Sequence, residues 1–310
     1  MSNKKVSVFA PATIANVACG FDVLGLAIEQ PGDVVHLNIN NSDKVSIKGI
    51  VGDDGKLPLD ANKNTASVAV AAFLEHIGER LGVDILVEKN LPLGSGLGSS
   101  AASSAAAVVA INELLGKPMQ RKELIPFAME AERIACGAAH ADNVAPAILG
   151  GFVLVRSYEP LDIIEIPSPQ NLFCVVVHPQ IELRTEDARK ILKREVQLKD
   201  AISQWGNLAA LIAGLMKPDF DIIGRSLHDV VAEPLRAILI PGFDEIKKAA
   251  MHAGALGCSI SGSGPSIFAF CKSKSIAEKA GAAMKIEFEK VGLKSSVYVS
   301  AVNQKGATVL

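Results

Sequence analysis

From Pro92 to Ala101 the chain reads Pro92-Leu93-Gly94-Ser95-Gly96-Leu97-Gly98-Ser99-Ser100-Ala101, glycine at alternate positions and then serine running into alanine. A strand, a turn stripped of side chains and a helix opening on Ser and Ala present several backbone N–H groups with nothing in front of them. The helix macrodipole adds roughly half a positive charge at that end. The chemistry such a place supports is the holding of an anion, polyphosphate above all. The spacing differs from two familiar phosphate loops. No Gly-Lys-Ser/Thr follows the glycines, and Gly94-x-Gly96-x-Gly98 lacks the last gap of the dinucleotide fingerprint. A helix start packed tightly against a sheet would select the same small residues, and composition alone leaves both readings standing. A second glycine-rich turn, Ser261-Gly262-Ser263-Gly264-Pro265-Ser266, reads by itself either as a strand connection or as a loop over a ligand.

To aim those amides the chain needs a strand into the turn and a helix out of it. Ile85–Glu88 supplies the strand, and the helix ends near Gly116-Lys117-Pro118. Upstream, β-rich runs lie at Val6–Ala10, Val23–Ile28, Val34–Ile39 and Val45–Ile50. The turn formers Asn40-Asn41-Ser42-Asp43 predict antiparallel pairing of the last two. The periodicity predicts helices over Thr65–Ile77 and Arg121–Cys136, and a strand over Phe152–Val155. In the second half, strands are expected at Phe173–Val177, on either side of Gly262–Pro265 and at Ser296–Ala301. Helices are expected within Glu186–Arg194, Lys199–Met216, Asp244–Ala253 and Ser275–Val291. The fold class is α+β. The Pro-rich stretch Pro160–Pro169 divides it into two expected domains, residues 1–160 and 161–310.

The 310 residues are 49% hydrophobic and 21% charged, enough to bury a sizeable core, and the formal net charge is −2. That balance gives no global attraction to nucleic acid or to an acidic membrane surface, so any phosphate contact must be local. The cysteines Cys19, Cys136, Cys174, Cys258 and Cys271 form no C-x-x-C pair, which suits buried, reduced thiols in a cytoplasmic protein. The N-terminus has no apolar run of the signal-peptide kind, and Ala101–Leu115 is too short and too polar to span a bilayer.

The Pro92–Ala101 string resembles the phosphate-binding motif of the GHMP kinases. Two further signatures resemble that family and stand in its order. Ala10-Pro11-Ala12-Thr13-Ile14-Ala15-Asn16-Val17-Ala18-Cys19-Gly20-Phe21-Asp22 is similar to the substrate-side motif, and Ser261–Ser266 to the third, glycine-rich motif. Within the family the first stretch is most similar to the homoserine kinases, with Ala18 where glycine is usual and Cys19 where proline is common. His140-Ala141-Asp142-Asn143-Val144-Ala145-Pro146 and Glu233-Pro234-Leu235-Arg236 are similar to the same group.

The resemblance implies an N-terminal domain with a left-handed β-α-β crossover, a ferredoxin-like C-terminal domain, a site between them and a homodimer. It implies ATP and Mg²⁺ as cofactors and L-homoserine as substrate, phosphorylated on its hydroxyl on the route to threonine. A zwitterion with an alcohol needs a cation for its carboxylate and an anion for its ammonium. By resemblance Arg189 and Arg236 take the carboxylate and Asp22 the ammonium, with Asn16, His140, Asn143, Thr185 and Gly264 as further substrate contacts. Pro92 through Ala101 cradle the triphosphate, Ser100 and Glu132 hold magnesium, and Asn64 and Lys89 lie on the adenosine side. Phosphoryl transfer is mainly alignment and charge neutralisation, so the expectation is direct hydroxyl attack oriented by Asn16 and Asn143 without an enzyme base, with Asp142 the rival base. Another small alcohol such as mevalonate, or a non-catalytic sensor of the same fold, are the alternatives.

Overall fold

The computed structural model describes residues 4–137 and 139–310. The first half contains β1 (Lys5–Ala15), β2 (Leu24–Asn40), β3 (Val45–Val51), α1 (Thr65–Ile77), β4 (Gly82–Glu88), α2 (Ser99–Leu114), α3 (Ile125–Cys136), α4 (Ala141–Leu149), β5 (Phe152–Tyr158) and β6 (Leu161–Ile166). The second contains β7 (Phe173–Pro179), α5 (Thr185–Lys190), α6 (Leu198–Met216), α7 (Phe220–Ser226), α8 (Glu233–Arg236), α9 (Phe243–His252), β8 (Gly257–Ile260), β9 (Ile267–Cys271), α10 (Lys274–Lys290), β10 (Ser295–Ala301) and β11 (Thr308–Val309).

The strands form two sheets. The first runs β11-β1-β2-β4-β3, with β5 on the other half of β2 and β6 on β5; the second runs β10-β7-β9-β8. That second order, antiparallel throughout, is the split β-α-β topology of a ferredoxin-like layer. The expected boundary at residue 160 falls inside a hairpin, because β6 is hydrogen-bonded to β5. Hydrogen bonds stitch β2 to β10 and to the segment after it: Glu29 and Gln30 N–H donate to Ser300 Oγ at 2.8 and 3.3 Å, and Asn303 N–H donates to the Ala27 carbonyl at 2.9 Å.

Two sequence expectations change. Val23–Ile28 and Val34–Ile39 are halves of one long strand, β2, which continues through Gln30-Pro31-Gly32. A Cβ at Gly32 would meet the Phe9 ring at 2.3 Å, so only glycine lets β1 and β2 stay in contact there. The antiparallel pairing of Val34–Ile39 with Val45–Ile50 does not form. β4 lies between them, antiparallel to β2 and parallel to β3, after the α1 crossover. Val83, Ile85 and Val87 of β4 are all buried and suit an interior strand, while β3 exposes Lys48 and Val51 and suits an edge.

Helix α2 explains the alanine that follows the glycine turn. It packs against β1, β2, α1, α3 and α4, and Ala101 through Asn112 are all buried. A helix covered on every side needs small residues where other backbones approach. Its C-terminal end is closed by Asn112, whose amide pairs with the backbone of Met119 in both directions. Cys19, Cys174, Cys258 and Cys271 are free and buried, and the side chain of Cys136 lies outside the described residues.

Candidate active site

β4 delivers the chain into the glycine loop, where Gly94, Gly96 and Gly98 have φ of +61°, +76° and +65°. A Cβ at Gly96 would come within 2.3 Å of the Ser261 carbonyl, and one at Gly98 within 2.0 Å of Thr13 Oγ1. These two glycines are therefore small because other protein segments press on them. The close-packing reading of the loop holds, with the second glycine turn and Thr13 as the packing partners. The anion reading is compatible with it: α2 begins after Gly98 with no side-chain cap, and Ser99 and Ser100 of its first turn line a cavity.

The three glycine-bearing stretches meet at one point. Asn16 Nδ2 donates to the Gly262 carbonyl at 2.8 Å, Ser261 Oγ to the Gly96 carbonyl at 2.7 Å, and Thr13 N–H to the Leu97 carbonyl at 3.0 Å. Asn16 Oδ1 accepts from Asp22 N–H at 3.0 Å, so both ends of that amide are engaged within the protein. Asn16, Val17 and Ala18 all have φ between +42° and +70°, and Asp22 has +58°. Four non-glycine residues in the left-handed region mark a strained turn, held by these hydrogen bonds.

Charged groups crowd the cavity beyond this junction. Arg189 holds Asp22 with two hydrogen bonds of 3.1 and 2.8 Å and lies 2.8 Å from His140 Nε2. Arg236 is buried, donates to the carbonyls of Ala188 and Gly262 at 3.2 and 2.9 Å, and lies over the Phe21 ring. Glu132 and Asp142 are buried carboxyls. Burial pushes Glu132 up to about 7, against a Ser100 hydrogen bond that lowers it. Burial, then the charge of Asp22, pushes Asp142 up to about 7 as well. Burial and the Arg189 charge hold His140 below the usual imidazole range, so it is neutral.

All of this lines one cavity of about 1030 Å³. Leu93, Gly94, Ser95, Gly96, Gly98, Ser99 and Ser100 line it, as do Asn16, Asp22, Glu132, His140, Asp142, Asn143, Thr185, Arg189 and Arg236. Pro92, Leu97, Ala101 and Gly264 are not among the lining residues; Leu97 and Ala101 are fully buried, and Gly262 and Ser263 present the third motif instead. Asn64 lines the cavity but its side chain caps α1, accepting from Ala66 N–H at 3.0 Å and donating to the Pro58 carbonyl at 3.1 Å. The Lys89 ammonium is committed to Asp33, the Ser99 carbonyl and Ser103. Asn143 Oδ1 accepts from Thr13 Oγ1 at 2.9 Å. Sequence reasoning missed Lys56, Lys63, Glu182 and Arg184, which also line the cavity. They sit in surface loops whose charges carry no motif.

Among the described residues, buried side-chain atoms without a hydrogen-bond partner include Glu132 Oε1, Asp142 Oδ1 and Arg189 Nε, all from this cavity wall. Buried polar groups are nearly always partnered, so two acceptors and a donor left open around one space mark a place for a polar ligand.

The chain matches the family described as GHMP kinases N terminal domain over residues 64–151 and GHMP kinases C terminal over residues 211–290. A protein named homoserine kinase from Chlorobium phaeobacteroides is 58% identical over 319 residues, covering 99% of this chain and 100% of its own length. The chain belongs to the GHMP kinase family. The crystal structure of homoserine kinase from Cytophaga hutchinsonii is 55% identical, with a TM-score of 0.98 over 100% of this chain and 98% of that one. A mevalonate kinase from L. major, in complex with R-mevalonate, has a TM-score of 0.71 at 16% identity over 97% of both chains, a likeness of fold alone. As a GHMP kinase the protein is an ATP-dependent kinase for a small molecule, which agrees with a glycine loop and paired charges lining one cavity. Among the described residues no helix is long and apolar enough to cross a membrane.

Proposed function

We propose that the protein is a homoserine kinase, transferring the γ-phosphoryl group of ATP to the side-chain hydroxyl of L-homoserine to give O-phospho-L-homoserine and ADP for threonine synthesis. The observation that carries this reading is the set of unpartnered atoms around one cavity, Glu132 Oε1 and Asp142 Oδ1 with Arg189 Nε, together with the name borne by the relatives. The amides of the Gly94–Ser100 loop receive the phosphates. Asp22 faces the substrate ammonium, and Arg189 and Arg236 its carboxylate. Asp22 and Arg189 neutralise one another, and a zwitterion would offer each a replacement partner. His140 and Thr185 complete that wall.

Magnesium fits the donors present, since Glu132 offers a buried carboxylate oxygen with no other partner and Ser100 a neighbouring hydroxyl. When bound there it would neutralise phosphate charge. For the proton, this reading departs from the expectation of a base-free attack. Asn16 is spent on Gly262 and Asp22, whereas Asp142, a residue of the cavity wall, has a buried oxygen without a partner and a carboxyl raised to about 7. A buried carboxylate poised there suits general-base work. Asn143 remains to orient the hydroxyl. Two domains divided after β6, a homodimer and a cytoplasmic location belong to the same reading. A coupled assay for ADP tests it: ADP release with L-homoserine and not with mevalonate is expected, and release with mevalonate alone, or none with either, refutes it.

A further inference from the structure

Asp33 on β2 and Lys89 just beyond β4 form an ion pair whose side chains are 0% and 2% exposed. Asp33 is not among the residues lining the cavity, although Lys89 is. Asp33 Oδ1 accepts from Asn90 N–H at 2.9 Å and Leu91 N–H at 3.1 Å, where the glycine loop begins. Its Oδ2 accepts from Lys89 Nζ and, at 3.1 Å, from Ser103 Oγ. Lys89 Nζ also donates to Ser103 Oγ at 2.9 Å and to the Ser99 carbonyl at 2.7 Å, where the loop ends and α2 begins. One buried carboxylate thus ties both ends of the loop to a single point on β2. A buried ion pair is seldom the stabler choice over apolar packing, because desolvation offsets most of the attraction. What this one supplies is geometry, since each charge is hydrogen-bonded to an end of the loop.

We propose that Asp33 and Lys89 are positioning residues for the phosphate loop, setting the aim of its amides at the nucleotide without touching it. This rests on the kinase reading above, in which that loop receives ATP. Asp33 and Ser103 carry no motif signal in the sequence, and Lys89, by resemblance a nucleotide contact, acts here through Ser99 and Ser103.

The test compares Asp33→Asn, Lys89→Met, the double variant and the milder Ser103→Ala with the parent enzyme, by KM for ATP and for L-homoserine, kcat and melting temperature. Both single variants are expected to raise KM for ATP about tenfold or more, with kcat at saturating ATP and KM for homoserine moving about threefold or less. The double variant is expected to recover melting temperature, since no lone charge stays buried, without recovering KM for ATP. Ser103→Ala, which keeps the pair, is expected to raise KM for ATP by a few fold, and it decides the matter should the charge variants fail to fold. An unchanged or lower KM for ATP in Asp33→Asn, alongside a raised one in Lys89→Met, overturns the proposal, because a released lysine would then be binding nucleotide directly. Losses that follow melting temperature and spread over both substrates overturn it too, as does an unmoved KM in Ser103→Ala when that is the folded variant. Failure of the parent enzyme to release ADP with homoserine would instead refute the kinase reading.

Discussion

Replacing Asp142 with asparagine separates a proton acceptor from a bystander, because this carboxyl has opposite effects on stability and on rate. Its folded value, raised from 3.8 to about 7 by burial and by Asp22, means that the folded chain holds a proton the unfolded chain has released across that window. Stability from this group therefore falls as pH rises from about 4 to about 7, and the penalty is complete above it. At about 1.4 kcal/mol per unit, the full shift corresponds to an upper limit on the order of 4 kcal/mol. Asp142→Asn should accordingly melt at higher temperature than the parent at pH 8, with the gap closing towards pH 4. The rate should move the other way. A general base contributes about 10²- to 10⁴-fold, so kcat for ADP release should fall by that factor with both KM values little changed. At saturating magnesium, which would hold Glu132 ionised, the parent's kcat should rise through pH 7 to a plateau, and the variant should lack that limb. Glu132 is also raised to about 7 and supplies the control: Glu132→Gln should raise the magnesium requirement, which Asp142→Asn should not. A variant that keeps kcat within about tenfold of the parent and retains the limb would refute the base, returning the mechanism to direct attack oriented by Asn143.

Two further outcomes follow from the strained turn and the buried guanidinium. Ala18 has a φ of 60° and is buried, so Ala18→Gly relieves left-handed strain of roughly 1–2 kcal/mol against about 0.4–1 kcal/mol of unfolded-state freedom and about 0.8 kcal/mol for the lost methyl; denaturant unfolding should find the variant within about 1 kcal/mol of the parent. Arg236→Gln removes a buried charge held by the carbonyls of Ala188 and Gly262; steady-state kinetics should show KM for homoserine raised about 100-fold with KM for ATP little affected.

The parts legible in the sequence were those in which residue type answers to a local demand. The alternate glycines announced a turn with no room for side chains, and Ser261 and Thr13 press on Gly96 and Gly98. The alanines after them announced close approach by other elements, as the burial of α2 bears out. Long-range pairing was the harder part. Nothing in Asn40–Asp43 says that a strand forty residues on will slip between β2 and β3, because strand order is decided by burial across the whole sheet. The same limit hid Asp33, whose partners lie 56 to 70 residues away. It also hid what else Asn64 and Asn16 do: both line the cavity, and their amides also serve a helix cap and the turn that meets Gly262.

The last strand has a bearing on how the chain is made. β11, only Thr308–Val309, pairs with Val8 and Phe9 at the outer edge of β1, while Arg121 reaches the carbonyl of Lys305 at 2.6 Å. The sheet built by the first half therefore keeps an open margin throughout translation until Thr308 and Val309 have left the ribosome. A nascent protein stalled shortly before that point would carry a finished glycine loop on a sheet with one sticky side, and chaperone capture of such stalled chains is the expected sign of it.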